Sequence, residues 1–149
     1  MTKATAPAAP GTGHIFNLRV YFEDTDAGGI VYHASYARFM ERARTELLRH
    51  RGISQGNFAI TEGAWFAVRR LNLDFLKPAK LDDMLRVVTQ VEKISGASVW
   101  LWQTVERDDE PLVRGHVQIA CLDGAGNVRR LPQEIRNQLS PSVAMKSQS

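Results

Sequence analysis

Cysteine is nearly absent: Cys121 is the one thiol in 149 residues, so no disulfide can form within the chain. That usage agrees with a reducing compartment, and a cytoplasmic location is the expectation. Cys121 lies among Val117, Ile119, Ala120 and Leu122, a run that predicts burial rather than reactivity. No apolar stretch approaches the roughly 18 residues of a membrane-spanning helix. The opening residues, MTKATAPAAPGTG, lack the apolar segment of a secretory signal. Residues 1–13 and 140–149 are read as flexible tails around one domain over 14–139. Paired His and Cys spacings of the kind that hold zinc are missing, as are internal repeats. The formal net charge is only +3, with Lys and Arg scattered rather than gathered into a stripe among aromatics. Nucleic acid is therefore not expected as a partner, and a small anionic ligand suits the charge equally well.

What the chain does hold is a 44% hydrophobic, 23% charged mixture, enough to build one soluble core. Phe16, Leu18, Val20 and Phe22 alternate with polar or aromatic neighbours, which predicts a strand from His14 to Phe22. A carboxylate- and glycine-rich loop follows. Tyr36, Phe39, Met40, Ala43, Leu47 and Leu48 then recur at helical spacing, predicting a helix from Ser35 to Arg51. Ser35 is its expected N-cap and Gly52 its left-handed terminator. A loop with at most a helical turn is expected over Ile53–Gly63, then strands over Trp65–Leu76, Met84–Ile94, Ser98–Arg107 and Leu112–Leu122. Large side chains on both faces of the third of these mark it as central or covered on both sides. Val128–Leu131 reads as a last strand or an extended segment, with a short helix starting at Pro132. One long helix and one antiparallel sheet must bury their apolar faces on each other, an α+β fold. The outer sheet face then needs cover, so a homodimer is expected, with Trp65, Trp100 and Trp102 as candidates to supply it.

The chemistry concentrates in VYFEDTDAGGIVYHASYA, Val20 to Ala37. On an extended chain Asp24 and Asp26 would share a face. Asp26 precedes the Gly28–Gly29 turn, and residues around His33–Tyr36 supply the free N–H groups of the helix start. A carboxylate beside such donors is what acyl transfer requires. By themselves, acidic residues before a helix more often serve only as caps. Asp24, Asp26 and His33 also fit a metal by residue type, yet their spacing is no metal signature and no metal is expected.

The string YFEDTDAGGIVYHASYARFMERARTELLR, continued by FAVRRLNLDFLKPAKLDDML, resembles the 4-hydroxybenzoyl-CoA thioesterase-like family. More closely it resembles the branch of acyl-CoA thioesterases associated with the Tol-Pal envelope system. The resemblance implies the hotdog fold, an antiparallel sheet of five to six strands wrapped around one long central α-helix, paired into a dimer or tetramer. It implies hydrolysis of short-to-medium, including aromatic, acyl-CoA thioesters without a cofactor, coenzyme A being part of the substrate. Acyl carrier protein is the alternative acyl carrier. By position Asp26 corresponds to the catalytic carboxylate, as nucleophile or general base. His33 falls at the carbonyl-polarising amide, and its imidazole is also implicated in the branch. Gly28, Gly29, Tyr32 and Phe22 belong to the supporting loop; Phe22 departs from the tyrosine frequent there and cannot donate a hydrogen bond. Arg69, Arg70, Lys77, Lys80 and Lys93 are candidates for the coenzyme A phosphates. Two rivals remain in view. D-T-D resembles a phosphatase nucleophile motif, but Gly28 stands where that motif has Thr or Val, and the α/β alternation is missing. A non-catalytic acyl-CoA or acyl-carrier-protein binder in envelope lipid metabolism would keep the groove without needing Asp26.

Overall fold

The computed structural model describes residues 13–140. Of the expected tails, all but Gly13 and Ser140 lie outside those residues. Five strands form one antiparallel sheet in the order β1-β3-β4-β5-β2, with β1 His14–Arg19, β2 Ala64–Phe75, β3 Met84–Ile94, β4 Ser98–Arg107 and β5 Glu110–Asp123. β4 is central, as its two bulky faces predict. Asp108 and Asp109, at φ 51° and 66°, link β4 to β5 in two residues, the mirror-image turn that suits the right-handed twist of a hairpin.

One helix, α1 (Ser35–His50), lies across the sheet. Phe39, Met40 and Ala43 pack with Leu85, Val87, Val105 and Val113 in one half of the core. Leu47 and Leu48 pack with Val99, Leu101, Val117 and Ile119 in the other. Gly52, at φ 82°, ends the helix as expected: its N–H reaches the Arg49 carbonyl, and that of Ile53 reaches Leu48. This paired closure satisfies two carbonyls while Ile53 packs in the same cluster as Leu48. Beneath α1 the side chain of Gln103 donates to the Met40 carbonyl and the Thr89 hydroxyl. It accepts from Arg44, so a polar cross-link joins helix to sheet inside the core. The arrangement is the hotdog fold.

As expected, a short helix, α3 (Gln133–Leu139), follows Pro132. Of the two readings of Val128–Leu131, a strand ladder is not formed: Val128 makes a single bridge to Leu122, while the Arg129 and Leu131 amides go to the Cys121 and Gly96 carbonyls. Three details depart from the sequence expectation. β1 stops at Arg19, because the Tyr21 N–H turns to the Asp24 carboxylate and winds Phe22–Asp24 into a 3-10 turn. Residues beyond Ile53 form a full helix, α2 (Gln55–Glu62). Trp100 and Trp102 are half-buried on the outer face, stacked either side of His116, and only Trp65 is exposed. Cys121 is buried, and burial pushes its thiol pKa up. No helix among the described residues is long and apolar enough to cross a membrane.

β2 is the sheet edge on one side, and the helix does not cover it: Val68, Leu71 and Phe75 are all exposed. The core beneath α1 is closed instead. Leu47→Ala is expected to cost about 2–5 kcal/mol, the usual toll of a cavity at a buried leucine, read as a lowered urea midpoint at unchanged slope.

Candidate active site

The loop between β1 and α1 is folded into a small hairpin. Thr25 bridges Val31, and the Asp26 N–H donates to the Ile30 carbonyl at 2.9 Å. Gly29 takes φ 81° at its tip, a conformation that costs glycine little. The hairpin is fastened at both sides. Its base is the carbonyl of Asp24, which accepts from the Tyr32 N–H at 2.9 Å and from the Ser35 hydroxyl at 3.1 Å. Its flank meets the β2–β3 connection, where Val31 donates to Ala79 and Ile30 bridges Lys80.

The two aspartates do not share a face. The 3-10 turn breaks the period-two alternation, so Asp24 is buried, 5% exposed, while Asp26 is exposed. Asp24 accepts from the Tyr21 N–H at 2.8 Å and stands 3.9 Å from the Arg38 guanidinium. It is a structural joint. Asp26 projects from the hairpin, its Oδ1 accepting from the Gly28 N–H at 2.8 Å. Its other oxygen has no partner among the described residues. Gly28 permits this closeness, since a Cβ there would come within 3.3 Å of that Oδ1. Asp24, Asp26 and His33 are thus not gathered as a metal set would be.

Ser35 is not the N-cap. It is the first residue of α1, its hydroxyl committed to the Asp24 carbonyl, and Ala34 occupies the cap position without a side-chain bond. The His33 and Ala34 amides, just ahead of the first helical turn, have no hydrogen-bond partner among the described residues. The helix start keeps open donors where the dipole is positive. Around this opening sit rings: Tyr32 against His33 at 4.5 Å, His33 edge-on to Phe75 at 6.3 Å, and Tyr36 to Phe75 at 5.8 Å between centroids. Burial pushes the Tyr36 phenol pKa up, and its oxygen accepts the Ala79 N–H. Tyr36 and Phe75 escaped the sequence reading as site residues. Tyr36 was visible only as part of an apolar stripe, and Phe75 lies 39 residues further along the chain, brought to the helix start by strand register rather than by any local spacing.

The basic candidates are not brought together. Arg69 and Arg70 stand at a bulge in the middle of β2, and Lys77 is paired with Glu110. Lys93 lies over the Trp100 ring on the outer sheet face, 5.3 Å from its centroid. Lys80, bridged to Ile30, is the one beside the hairpin. Phe22 is 80% exposed and Tyr32 is exposed, both on the outside of the loop they were expected to support.

An open helix start and a glycine hairpin presenting a carboxylate make up the candidate site of this hotdog sheet. The thioesterase superfamily model matches residues 28–114, and the chain belongs to that family. The match begins two residues after Asp26 (28 − 26). The acyl-CoA thioesterase YbgC of Haemophilus influenzae is 42% identical over 125 residues, covering 83% of this chain and 92% of that protein. The crystal structure of a probable thioesterase from Bartonella henselae is 38% identical with a TM-score of 0.78, covering 80% of this chain and 98% of that one. A 4-hydroxybenzoyl-CoA thioesterase variant in complex with 4-hydroxybenzoyl-CoA has a TM-score of 0.80 at 18% identity, over 85% of this chain and 97% of that one, a likeness of fold alone.

The two aspartates should separate in experiment. Asp24→Ala, which orphans the Tyr21 N–H, is expected to cost about 1–2 kcal/mol by urea denaturation. Asp26→Asn, at an exposed position, should stay within about 0.5 kcal/mol of wild type.

Proposed function

We propose that this thioesterase-superfamily chain hydrolyses short-to-medium acyl-CoA thioesters, aromatic ones included, to the free acid and coenzyme A. The observation that carries the reading is the open carboxylate oxygen of Asp26 on a hairpin fastened to the uncapped start of α1. In one route that oxygen attacks the thioester carbonyl, the C–S bond breaks, the thiolate leaves and takes up a proton, and water hydrolyses the mixed anhydride. In the other, Asp26 takes a proton from water, and the water oxygen attacks instead. Either way the carbonyl oxygen gains negative charge, and the His33 and Ala34 amides, open among the described residues, are the donors proposed to receive it. No cofactor enters either route. Acyl carrier protein is the alternative carrier of the acyl group, and the cytoplasm the expected compartment.

A second copy of the chain belongs in this reading. Asp26 is exposed and lines none of the described cavities, so one protomer presents the reacting groups without a walled pocket. β2 has one side unpaired and exposes Val68, Leu71 and Phe75. Pairing β2 with its own copy would satisfy that edge, cover those side chains and roof the Phe75 side of the mouth. Arg69, Arg70 and Lys80 are then the basic groups proposed to meet the coenzyme A phosphates. The same exposure of Asp26 favours the rival reading, a non-catalytic acyl-CoA binder.

Thiol release from a panel of acyl-CoA thioesters separates the two. Asp26→Asn should lower kcat/KM at least a hundredfold in a folded protein, equivalent to about 3 kcal/mol of barrier; a variant as fast as wild type removes Asp26 from the mechanism. His33→Ala should cost less, because the amide rather than the imidazole is the proposed donor. Leu71→Lys should convert the oligomer to monomer in light scattering and lower turnover with it.

A further inference from the structure

On the α1 side that faces β2, one buried charge is left without a counter-ion. Arg44 points inward from α1 and is 9% exposed. Its Nη1 donates to Oε1 of Gln103 at 2.9 Å, and no carboxylate of the described residues lies within ion-pair distance. Residues 1–12 and 141–149 contain no Asp or Glu. Glu41, one turn earlier, is exposed and acts on Arg44 only from longer range. Burial pushes the Arg44 pKa down, yet an arginine keeps its proton at neutral pH. The other inward-reaching arginines differ. Arg86 pairs with Glu106 and Asp109, and Arg107 with Asp83 and Glu110. Arg51 donates to the Gln138 carbonyl in the last turn of α3, where the helix dipole favours a cation.

Strand register relates this charge to the proposed mouth. Phe75, whose ring meets those of His33 and Tyr36, pairs with Val113, and Val113 with Val105. Two residues away on the same face, Leu73 pairs with Gly115 and Gly115 with Gln103. Gln103, which holds Arg44, is therefore about 7 Å along the strands from the Phe75 row. Arg44 also lines a cavity of about 290 Å³ with Glu41, Leu48, Phe66, Val68 and Ile119, open on the β2 side of the helix.

We infer that Arg44 receives a carboxylate at the far end of the acyl chain, so that the preferred substrates are coenzyme A monothioesters of short dicarboxylic acids. A neutral acyl chain laid along this strip would leave the guanidinium desolvated and unpaired. A terminal carboxylate would take the N–H donors that Gln103 leaves open, in the fork geometry that suits arginine. The inference rests on the hydrolase reading and names its substrate class.

Wild-type kcat/KM for succinyl-, glutaryl- and adipoyl-CoA is compared with that for butanoyl-, pentanoyl- and hexanoyl-CoA, after subtraction of the uncatalysed rate. At least one dicarboxylic thioester should exceed its neutral counterpart of equal chain length tenfold or more. Arg44→Met should lower that ratio at least tenfold, and Arg44→Lys should recover part of it. No wild-type preference overturns the assignment, and so does a ratio that Arg44→Met leaves unmoved. Both classes falling together in a folded Arg44→Met variant makes the residue a support for Gln103, and loss of the oligomer with an unmoved ratio makes it an interface group; either result overturns it. Should Arg44→Met fail to fold, the wild-type preference and stronger competitive inhibition by free glutarate than by pentanoate decide the question. Neutral thioesters hydrolysed without a dicarboxylic preference overturn the Arg44 assignment alone, whereas silence toward every thioester overturns the hydrolase reading beneath it.

Discussion

A single carbonyl oxygen organises the reactive end of this molecule. That of Asp24 accepts both the Tyr32 N–H and the Ser35 hydroxyl, and so clamps the glycine hairpin to the first turn of α1. Two consequences follow from one acceptor. The hairpin carrying Asp26 is fixed against the helix rather than left as a free loop. Ser35 is spent on this joint rather than on a cap, and directly ahead of the helix the His33 and Ala34 amides stay open among the described residues.

The second constraint is coverage. α1 shields the strands beneath it, but β2 lies at the edge with apolar side chains exposed on the helix side. A sheet edge of twelve residues with free backbone groups is costly to leave open in water. The proposed mouth lies at the Phe75 end of that same strand. Closure of the sheet edge and completion of the pocket are therefore one event in the proposed dimer, which explains how Asp26 can be exposed in a protomer and still act in a sheltered site.

Within the core, one polar group ties helix to sheet. Gln103 is wholly buried yet bonded to helix backbone, to Thr89 and to Arg44. Such a cross-link sets the height and rotation of α1 over the sheet more specifically than aliphatic contacts do. Arg44 is joined to Gln103 but to no carboxylate of the described residues, which is why it invites an anionic ligand.

Much of this architecture was legible in the residue pattern. Helical spacing from Tyr36 to Leu48, alternation in the strands, Gly52 after the helix and turn residues between strands depend on neighbours a few positions apart, and local chemistry decides them. The bulk on both faces of β4 fits the central place it takes. Asp26 and the helix start stand as candidates through the resemblance carried by the loop. What only tertiary structure decided were relations between distant segments: that Asp24 turns inward while Asp26 stays out, that Ser35 serves the loop instead of the helix, that Phe75 meets Tyr36, and that Arg44 is buried without an acid. Each depends on hydrogen bonds and strand register reaching across the chain, and no short-range spacing encodes them.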